Sequence, residues 1–243
     1  GIDFCELYSN TRKQEYLNRA LNTWKFVISG WDDKLDGGIY WCEQKKISKN
    51  TCSNAPASVL ALKLFKATGD SSFFKYGKRI YDWTQTNLRD PEDHLYFDNK
   101  DLSGKTDKRK YTYNSGQMLQ ASVMLYKLTG EKDYLNEAGI IANSVINHFT
   151  EDYLYKGNTI KLFKNTGNWF NYILLRGYME LYSVDKNPIY LNIFRDNMDQ
   201  VWDYARNKEG LFMKDWKGQK ENQYNELLDQ AGLMAIFAAL ASV

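Results

Sequence analysis

Histidine, cysteine and proline are scarce in this chain of 243 residues, which has 2 His, 3 Cys and 3 Pro. A structural zinc site needs four Cys or His ligands together, and His94 and His148 lie far apart, so we expect no metal and no cofactor. Cys5 is predicted to be a buried thiol. Cys42 and Cys52 share one loop, and the sequence fits a disulfide or two free thiols equally well.

Long apolar runs and an excess of charge of one sign are also missing. No stretch approaches the ~18 uncharged residues of a membrane span, so we expect none. Lys and Arg number 32 against 30 Asp and Glu, and the densest basic run, residues 105–110, is interpreted as a solvated loop. Nucleic acid is therefore not an expected partner, and the oligomeric state stays open.

A repeat is present instead. Four times, an aromatic residue is followed eight positions later by an aromatic-hydrophobic pair, and the copies start 56 to 61 residues apart. The copies are Tyr8 with Tyr16-Leu17, Phe65 with Phe73-Phe74, Tyr126 with Tyr134-Leu135, and Tyr182 with Tyr190-Leu191. Self-similarity at such a period is typical of a repeat architecture.

Each copy predicts a helical hairpin. Residues 59–65 are apolar on nearly all sides, which favours an inner helix, whereas residues 72–88 carry one apolar stripe, which favours an outer helix. Gly69 is suited to end the first helix and Asp70 to cap the second. Extended alternation is scarce, so the predicted class is all-α, built from inner-outer hairpins.

Long loops separate the hairpins and alternate with short turns. Their aromatic segments lie at residues 38–41, 94–98, 153–155 and 210–213. Long loops on a rigid scaffold commonly present binding residues. We place Trp31, Trp41, Trp169 and Trp216 in these loops and Trp24, Trp83 and Trp202 on outer helices, where they are predicted to pack in the core. Aromatic residues among Asp, Asn and Gln suit a sugar, which has apolar ring faces and hydroxyl edges.

Three segments resemble glycoside hydrolase family 76, the endo-acting α-1,6-mannanases. They are WDDKLDGGIYW at residues 31–41, KNTCSNAP at 49–56 and YTYNSGQ at 111–117, and the TGD and TGE turns at Thr68 and Thr129 agree. The matches run in the family's order over nearly the whole chain. The resemblance implies one domain over residues 1–243, an (α/α)6 toroid that lacks an N-terminal hairpin here.

The resemblance also implies a retaining glycosidase that acts on α-mannan or mannooligosaccharides, at an extracellular or periplasmic location. Such an enzyme needs a nucleophilic carboxylate and a protonated one. The family pattern places two consecutive aspartates a few residues before Gly1. Asp32-Asp33 is the only such pair in this sequence. It matches a different family feature, so we interpret it as a turn pair or a substrate contact.

The residues predicted to contact substrate are Asp32, Asp33, Tyr40, Trp41, Asn54, Tyr113, Asn114 and Trp169. Besides the aspartate pair, two of them have a structural alternative. Asn54, like Ser53, could cap an inner helix that begins at Pro56, and Asn114 could be the N-cap of the next inner helix.

Two other functions remain open. A sugar epimerase of the N-acylglucosamine type can use the same scaffold, but it depends on histidines at the cleft, and His94 and His148 are predicted in a loop and on an outer helix. A glycan-binding protein could retain the cleft without catalysis. Binding of α-1,6-mannan without release of reducing ends would favour this second alternative.

Overall fold

A computed structural model describes residues 1–164, 167–220, 222–223 and 226–243. Within these residues the chain is mostly helical. The helices are α1 (Ile2–Thr11), α2 (Gln14–Ser29), α3 (Thr51–Thr68), α4 (Ser71–Leu88), α5 (Thr112–Thr129), α6 (Lys132–Phe149), α7 (Asn168–Asp185), α8 (Ile189–Tyr204) and α9 (Leu227–Ala241). A single 3-10 turn, Lys34–Asp36, interrupts the loop after α2.

Odd-numbered and even-numbered helices form two layers. Helices α1, α3, α5, α7 and α9 contact one another in succession, and each even-numbered helix packs outside them. The central stretch of α3 from Ala57 to Leu62 is buried throughout, whereas α4 buries one face and exposes the other. The predicted inner-outer hairpins and all-α class are thereby confirmed.

Short turns close one end of the helical assembly. Gly69 and Gly130 end α3 and α5 in the left-handed conformation, with φ of 75° and 76°. The Asp70 side chain then accepts a hydrogen bond from the Ser72 amide at 2.8 Å, as an N-cap should. Arg12 and Lys186 take the same left-handed position after α1 and α7, each with φ of 56°, so glycine is not required there.

Long loops form the opposite end, and they contain short strands that the sequence did not indicate. Strands β1 (Ser48–Asn50), β2 (Phe97–Asp101) and β3 (Thr106–Lys110) make an antiparallel sheet in that order, and β4 (Thr150–Tyr155) pairs with β5 (Asn158–Phe163). Charged strands such as TDKRK in β3 carry no apolar alternation to detect. Pairing of β1 with β2 ties two successive long loops together.

Two glycines let α5 and α7 come into backbone contact. A Cβ at Gly116 would lie 2.6 Å from the Leu174 Cα, and one at Gly177 would lie 2.5 Å from the Gly116 carbonyl oxygen. Any side chain at either position would therefore force the helices apart. This contact fixes the spacing of the two helices just below the long-loop end.

The core confirms part of the tryptophan assignment. Trp24 and Trp83 are buried, but Trp202 on α8 is 50% exposed although its ring contacts Phe237. The prediction that Trp202 lies in the core is therefore wrong. Among the described helices, none is both long enough and apolar enough to span a membrane.

All three cysteines are free thiols, and Cys5 is buried as predicted. Cys42 and Cys52, for which the sequence left two possibilities, do not form a disulfide. The Cys42 thiol instead lies 3.3 Å from Gln44 Oε1.

Candidate functional site

A cavity of about 500 Å³ opens at the long-loop end. Its walls come from the start of α1, from α2, from the loop before β1, and from the first turns of α3, α5 and α7. The side chains that the following paragraphs use are Asp3, Phe26, Tyr40, Trp41, Cys52, Tyr113, Gln117, Trp169 and Arg176. A cavity of this size suits a small-molecule or oligosaccharide ligand.

Aromatic rings cover two sides of the cavity. Trp41 is 62% exposed and lines the cavity together with Tyr113 of α5 and Trp169 of α7. Tyr113 is stacked between two rings, with Tyr111 at 5.5 Å and 17° and Trp169 at 5.9 Å and 13°. Tyr113 thus packs against neighbouring rings, whereas Trp41, which is 62% exposed, has ring surface available to a ligand.

Lys49 organises the loop beside the cavity. Its side chain is fully buried, and Nζ donates to the Asp32 carboxylate at 2.6 Å and to the carbonyls of Lys34 and Gly37 at 2.7 and 2.6 Å. Burial lowers the pKa of Lys49, and the Asp32 carboxylate opposes that shift. Burial by itself would raise the pKa of Asp32, but hydrogen bonds from Lys49 and Tyr40 outweigh it and lower that pKa.

Asp32 therefore acts on the fold of the loop. The Tyr40 hydroxyl donates to its second oxygen at 2.9 Å, and burial together with this bond raises the pKa of Tyr40 to about 12. Tyr40 stays protonated, and its ring lines the cavity. Asp33 points to solvent beside Arg79, at 3.5 Å, and neither aspartate lines the cavity.

Asn54 anchors the same loop by hydrogen bonds to its backbone. It is fully buried, accepts from the Ile39 amide at 2.7 Å, and donates to the carbonyls of Ile39 and Asn50 at 3.0 and 2.8 Å. Helix α3 begins at Thr51, so the prediction of a helix that begins at Pro56 and is capped by Ser53 or Asn54 is wrong. The extended Asn50 precedes the helix instead.

Asn114 is also fully buried, but it lies in a different environment. Helix α5 begins at Thr112 after Tyr111, so the alternative that Asn114 is the N-cap is wrong. Neither its amide oxygen nor its amide nitrogen has a hydrogen-bond partner among the described residues. Asn114 does not line the cavity.

The loop tryptophans divide by environment. Trp169 lies on the first turn of α7 and lines the cavity, as Trp41 does from its loop. Trp216 is 4% exposed, and its indole nitrogen donates to Asn168 Oδ1 at 2.8 Å, so it is a core residue. Trp31 packs under Arg79, 4.6 Å from the guanidinium, and does not line the cavity.

Sequence reasoning missed Gln117 and Arg176 at the base of the cavity. Arg176 on α7 donates to Asp3 at 2.9 Å and to Glu6 at 2.6 Å, and so joins α7 to α1. Burial alone would lower the pKa of Arg176, but Glu6 and Asp3 outweigh it and raise that pKa. A long polar residue inside an otherwise apolar inner helix was the signal that could have identified both.

The carboxylates and the thiol of the described lining have distinct environments. Its carboxylates are Asp3, which is engaged by Arg176, and the exposed Glu43 on another wall. Burial raises the pKa of the Cys52 thiol to about 11, so that thiol stays protonated. Among the described residues, no group of three or more His, Cys, Asp or Glu is placed to hold a metal ion.

Comparison with known proteins agrees with this geometry. The family model of glycosyl hydrolase family 76 matches residues 2–242. A glycoside hydrolase family 76 mannosidase from Bacteroides thetaiotaomicron has a TM-score of 0.93 and 34% identity, over 98% of this chain and 68% of that one. Its likeness in fold confirms the α/α toroid class.

Two further relatives carry information on a substrate. An inactive variant of an α-1,6-mannanase from a Salegentibacter species, solved with alpha-1,6-mannotetrose, has a TM-score of 0.84 and 29% identity, over 98% of this chain and 73% of that one. Mannan endo-1,6-alpha-mannosidase DCW1 of Candida glabrata is 28% identical over 58% of this chain and 33% of its own length. The chain spans about a third of the length of the curated relatives it matches.

Proposed function

The chain belongs to glycosyl hydrolase family 76, and we propose that its cavity binds α-1,6-linked mannan for cleavage of α-1,6-mannosidic bonds. The observation that carries the proposal is the cavity of about 500 Å³ that is lined by Trp41 and Trp169 together with the polar side chains of Gln117 and Arg176. Apolar sugar faces pack on such rings while hydroxyls bond to polar groups. The mannotetraose complex of the Salegentibacter relative supports this choice of ligand.

The proposed reaction retains the anomeric configuration and uses two carboxylates, one as nucleophile and one as acid and base. Asp32 does not suit either role, because Lys49 and Tyr40 occupy both of its oxygens. Asp33 is exposed away from the cavity. The expectation that the catalytic aspartates lie ahead of Gly1 stays a prediction, and sequencing the encoding gene upstream of Gly1 tests it directly.

Binding is tested by calorimetric titration of this chain with α-1,6-mannotetraose. We expect saturable binding, and we expect much weaker binding of isomaltotetraose, which has the same linkage between glucosyl units. Equal affinity for both sugars, or none for either, would contradict the choice of mannan. Intact mass confirms that the titrated protein is the 28.4 kDa chain.

Cleavage is tested with the full-length product of the gene. Reducing ends should appear from linear α-1,6-mannan, and proton NMR should show the α anomer first, as retention requires. First appearance of the β anomer would rule out the retaining mechanism. Binding of mannan without new reducing ends would instead establish a glycan-binding protein, which is the second function that the sequence leaves open.

The proposed substrate also bears on location. Mannan is a polymer of cell surfaces, so we propose that the protein works outside the cytoplasm, in an extracellular or periplasmic compartment. Fractionation of cells that express the full-length gene tests this. Recovery of the protein only with cytoplasmic markers would contradict it.

A further inference from the structure

Gln117 is a buried polar group at the base of the cavity. It lies on the second turn of α5, lines the cavity, and is 5% exposed. Its amide oxygen is buried without a hydrogen-bond partner among the described residues. A buried amide left unpaired is unfavourable by roughly 1–3 kcal/mol, so native structures seldom keep one without a reason.

Four other polar side chains of the lining already have hydrogen-bond partners. The Tyr40 hydroxyl donates to Asp32, and Arg176 donates to Asp3 and Glu6. Thr23 and Ser29 donate to carbonyls of their own helix. Gln117 therefore differs from these groups in having hydrogen-bonding capacity to spare.

The surroundings of Gln117 are apolar and rigid. Leu60, Ala57 and Ile173 line the same cavity. The neighbouring residue Gly116 lies in backbone contact with Leu174 of α7, which fixes this turn of α5. A rigidly held amide among apolar lining residues is an arrangement by which a binding site selects one polar group of its ligand.

We infer that Gln117 is a specificity-determining residue whose carboxamide hydrogen-bonds a ring hydroxyl of the mannosyl unit at the base of the cavity. The amide nitrogen of Gln117, unlike its oxygen, is not among the fully buried atoms, and it can donate to the oxygen of a sugar hydroxyl. A site built around such a bond rejects ligands that leave its polar group unpaired. This inference rests on the proposed function of the cavity.

The test replaces Gln117 by Met, which keeps the length of the side chain and removes its hydrogen bonds. We expect Gln117→Met to bind α-1,6-mannotetraose on the order of tenfold more weakly than the wild type. Its Tm without ligand should be equal or higher, because an unpaired buried amide has been removed. Loss of affinity without loss of stability is a result that a purely structural role does not produce.

Gln120→Met is the matched control. Gln120 lies one turn later on α5, is 2% exposed, and also has an unpaired amide oxygen, but it does not line this cavity. Its affinity for mannotetraose should equal that of the wild type. Gln117→Asn, which shortens the side chain by one methylene, provides a second variant that cannot overpack the floor, and we expect it to bind as weakly as Gln117→Met.

Two results would overturn the inference. One is an affinity of both Gln117 variants within twofold of the wild type, and the other is a Tm that falls together with the affinity. The proposed function fails differently, since the wild type itself would then not bind mannotetraose. Titration of the wild type before the variants separates the two failures.

Discussion

Asn54 and Asn114 occupy the first turns of successive inner helices, α3 and α5, and both are fully buried. Asn54 makes three hydrogen bonds to the backbone of its neighbours, whereas Asn114 makes none to the described residues. The sequence shows two equivalent asparagines beside a cleft. The structure shows that one of them holds a loop in place, while the other leaves its polar atoms uncommitted.

The same contrast extends to two larger groups. Around Lys49, the polar atoms of Asp32, Tyr40 and Asn54 are bonded to one another or to the backbone. Along α5, Asn114, Gln117 and Gln120 carry buried polar atoms without partners among the described residues. The first group maintains the shape of the cleft wall. The second group has bonding capacity left for a ligand or for water.

Among the variants that test this comparison, Lys49→Met should have the largest effect on stability. The substitution leaves the Asp32 carboxylate and several carbonyls without their buried donor, and we expect the free energy of unfolding to fall by about 3–5 kcal/mol. Urea titration of variant and wild type measures this. Lys46→Met, at an exposed lysine of the same loop, should change it by less than about 0.5 kcal/mol. Similar values for both variants would remove the distinction between the two groups.

The two asparagines can be compared directly through Asn54→Ala and Asn114→Ala. Both variants lose the same volume, so the difference between them isolates the hydrogen bonds. We expect Asn54→Ala to be about 2–3 kcal/mol more destabilising, because it removes three bonds to buried backbone groups. Chemical denaturation measures both. Equal losses would mean that Asn114 is bonded after all, for instance by buried water.

Trp41→Ala extends the comparison to aromatic residues that line the cavity. Trp41 is 62% exposed, so its removal should leave the Tm unchanged while mannotetraose binds about five- to tenfold more weakly. Trp202→Ala is the control, since Trp202 is 50% exposed but does not line the cavity. Calorimetry should show no change for it. A loss of affinity in both variants would place the effect outside the cavity.

The smallest effect concerns acid. The lowered pKa of Asp32 means that the unfolded chain binds a proton more readily, so the stabilisation is complete above about pH 5 and is lost as the pH falls through the folded pKa. Asp32→Asn should therefore flatten the decline in stability between about pH 5 and 3. Because 35% of the Asp32 side chain is exposed, we expect the pH-dependent part of the free energy of unfolding to change by less than about 1 kcal/mol in this variant.

Asp33→Asn is the neighbouring control for that measurement. Asp33 has 93% of its side chain exposed, so its variant should follow the wild-type curve in pH-dependent thermal melts. A wild-type curve for Asp32→Asn as well would show that the Lys49 group does not depend on this charge.

The sequence predicts the helical ring well because the ring follows from periodic burial. The all-round apolar run of α3, the Gly69 cap and the Asp70 cap are local features, and each can be recognised without knowledge of distant contacts. The start of α3 was misplaced at Pro56, because proline is common at helix starts and its tolerance inside this helix depends on tertiary packing.

The cleft was less predictable, since it depends on which partner each polar residue finds. Tyr40, Trp41, Tyr113 and Trp169 were predicted as contacts and do line the cavity, although substrate contact itself stays a prediction. Asp32 and Asn54 were both predicted to contact substrate. In the structure, Asp32 is bonded to Lys49 and Asn54 to the backbone of Ile39. Trp216 was interpreted as a loop residue, and Gln117 was not predicted to line the cavity. In both cases burial in a loop or a cavity produces no periodic pattern of apolar residues in the sequence.

The backbone contact between α5 and α7 has a consequence for how this cleft can change over evolution. Glycine has no side chain that a substitution could shorten, and any larger residue at Gly116 or Gly177 would push the two helices apart. Single substitutions at these two positions therefore cannot change the distance between α5 and α7 in small steps. New preferences for branched or longer sugar chains would have to arise in the long loops. There Trp41 and the short β-sheet can vary while the helices beneath them keep their spacing.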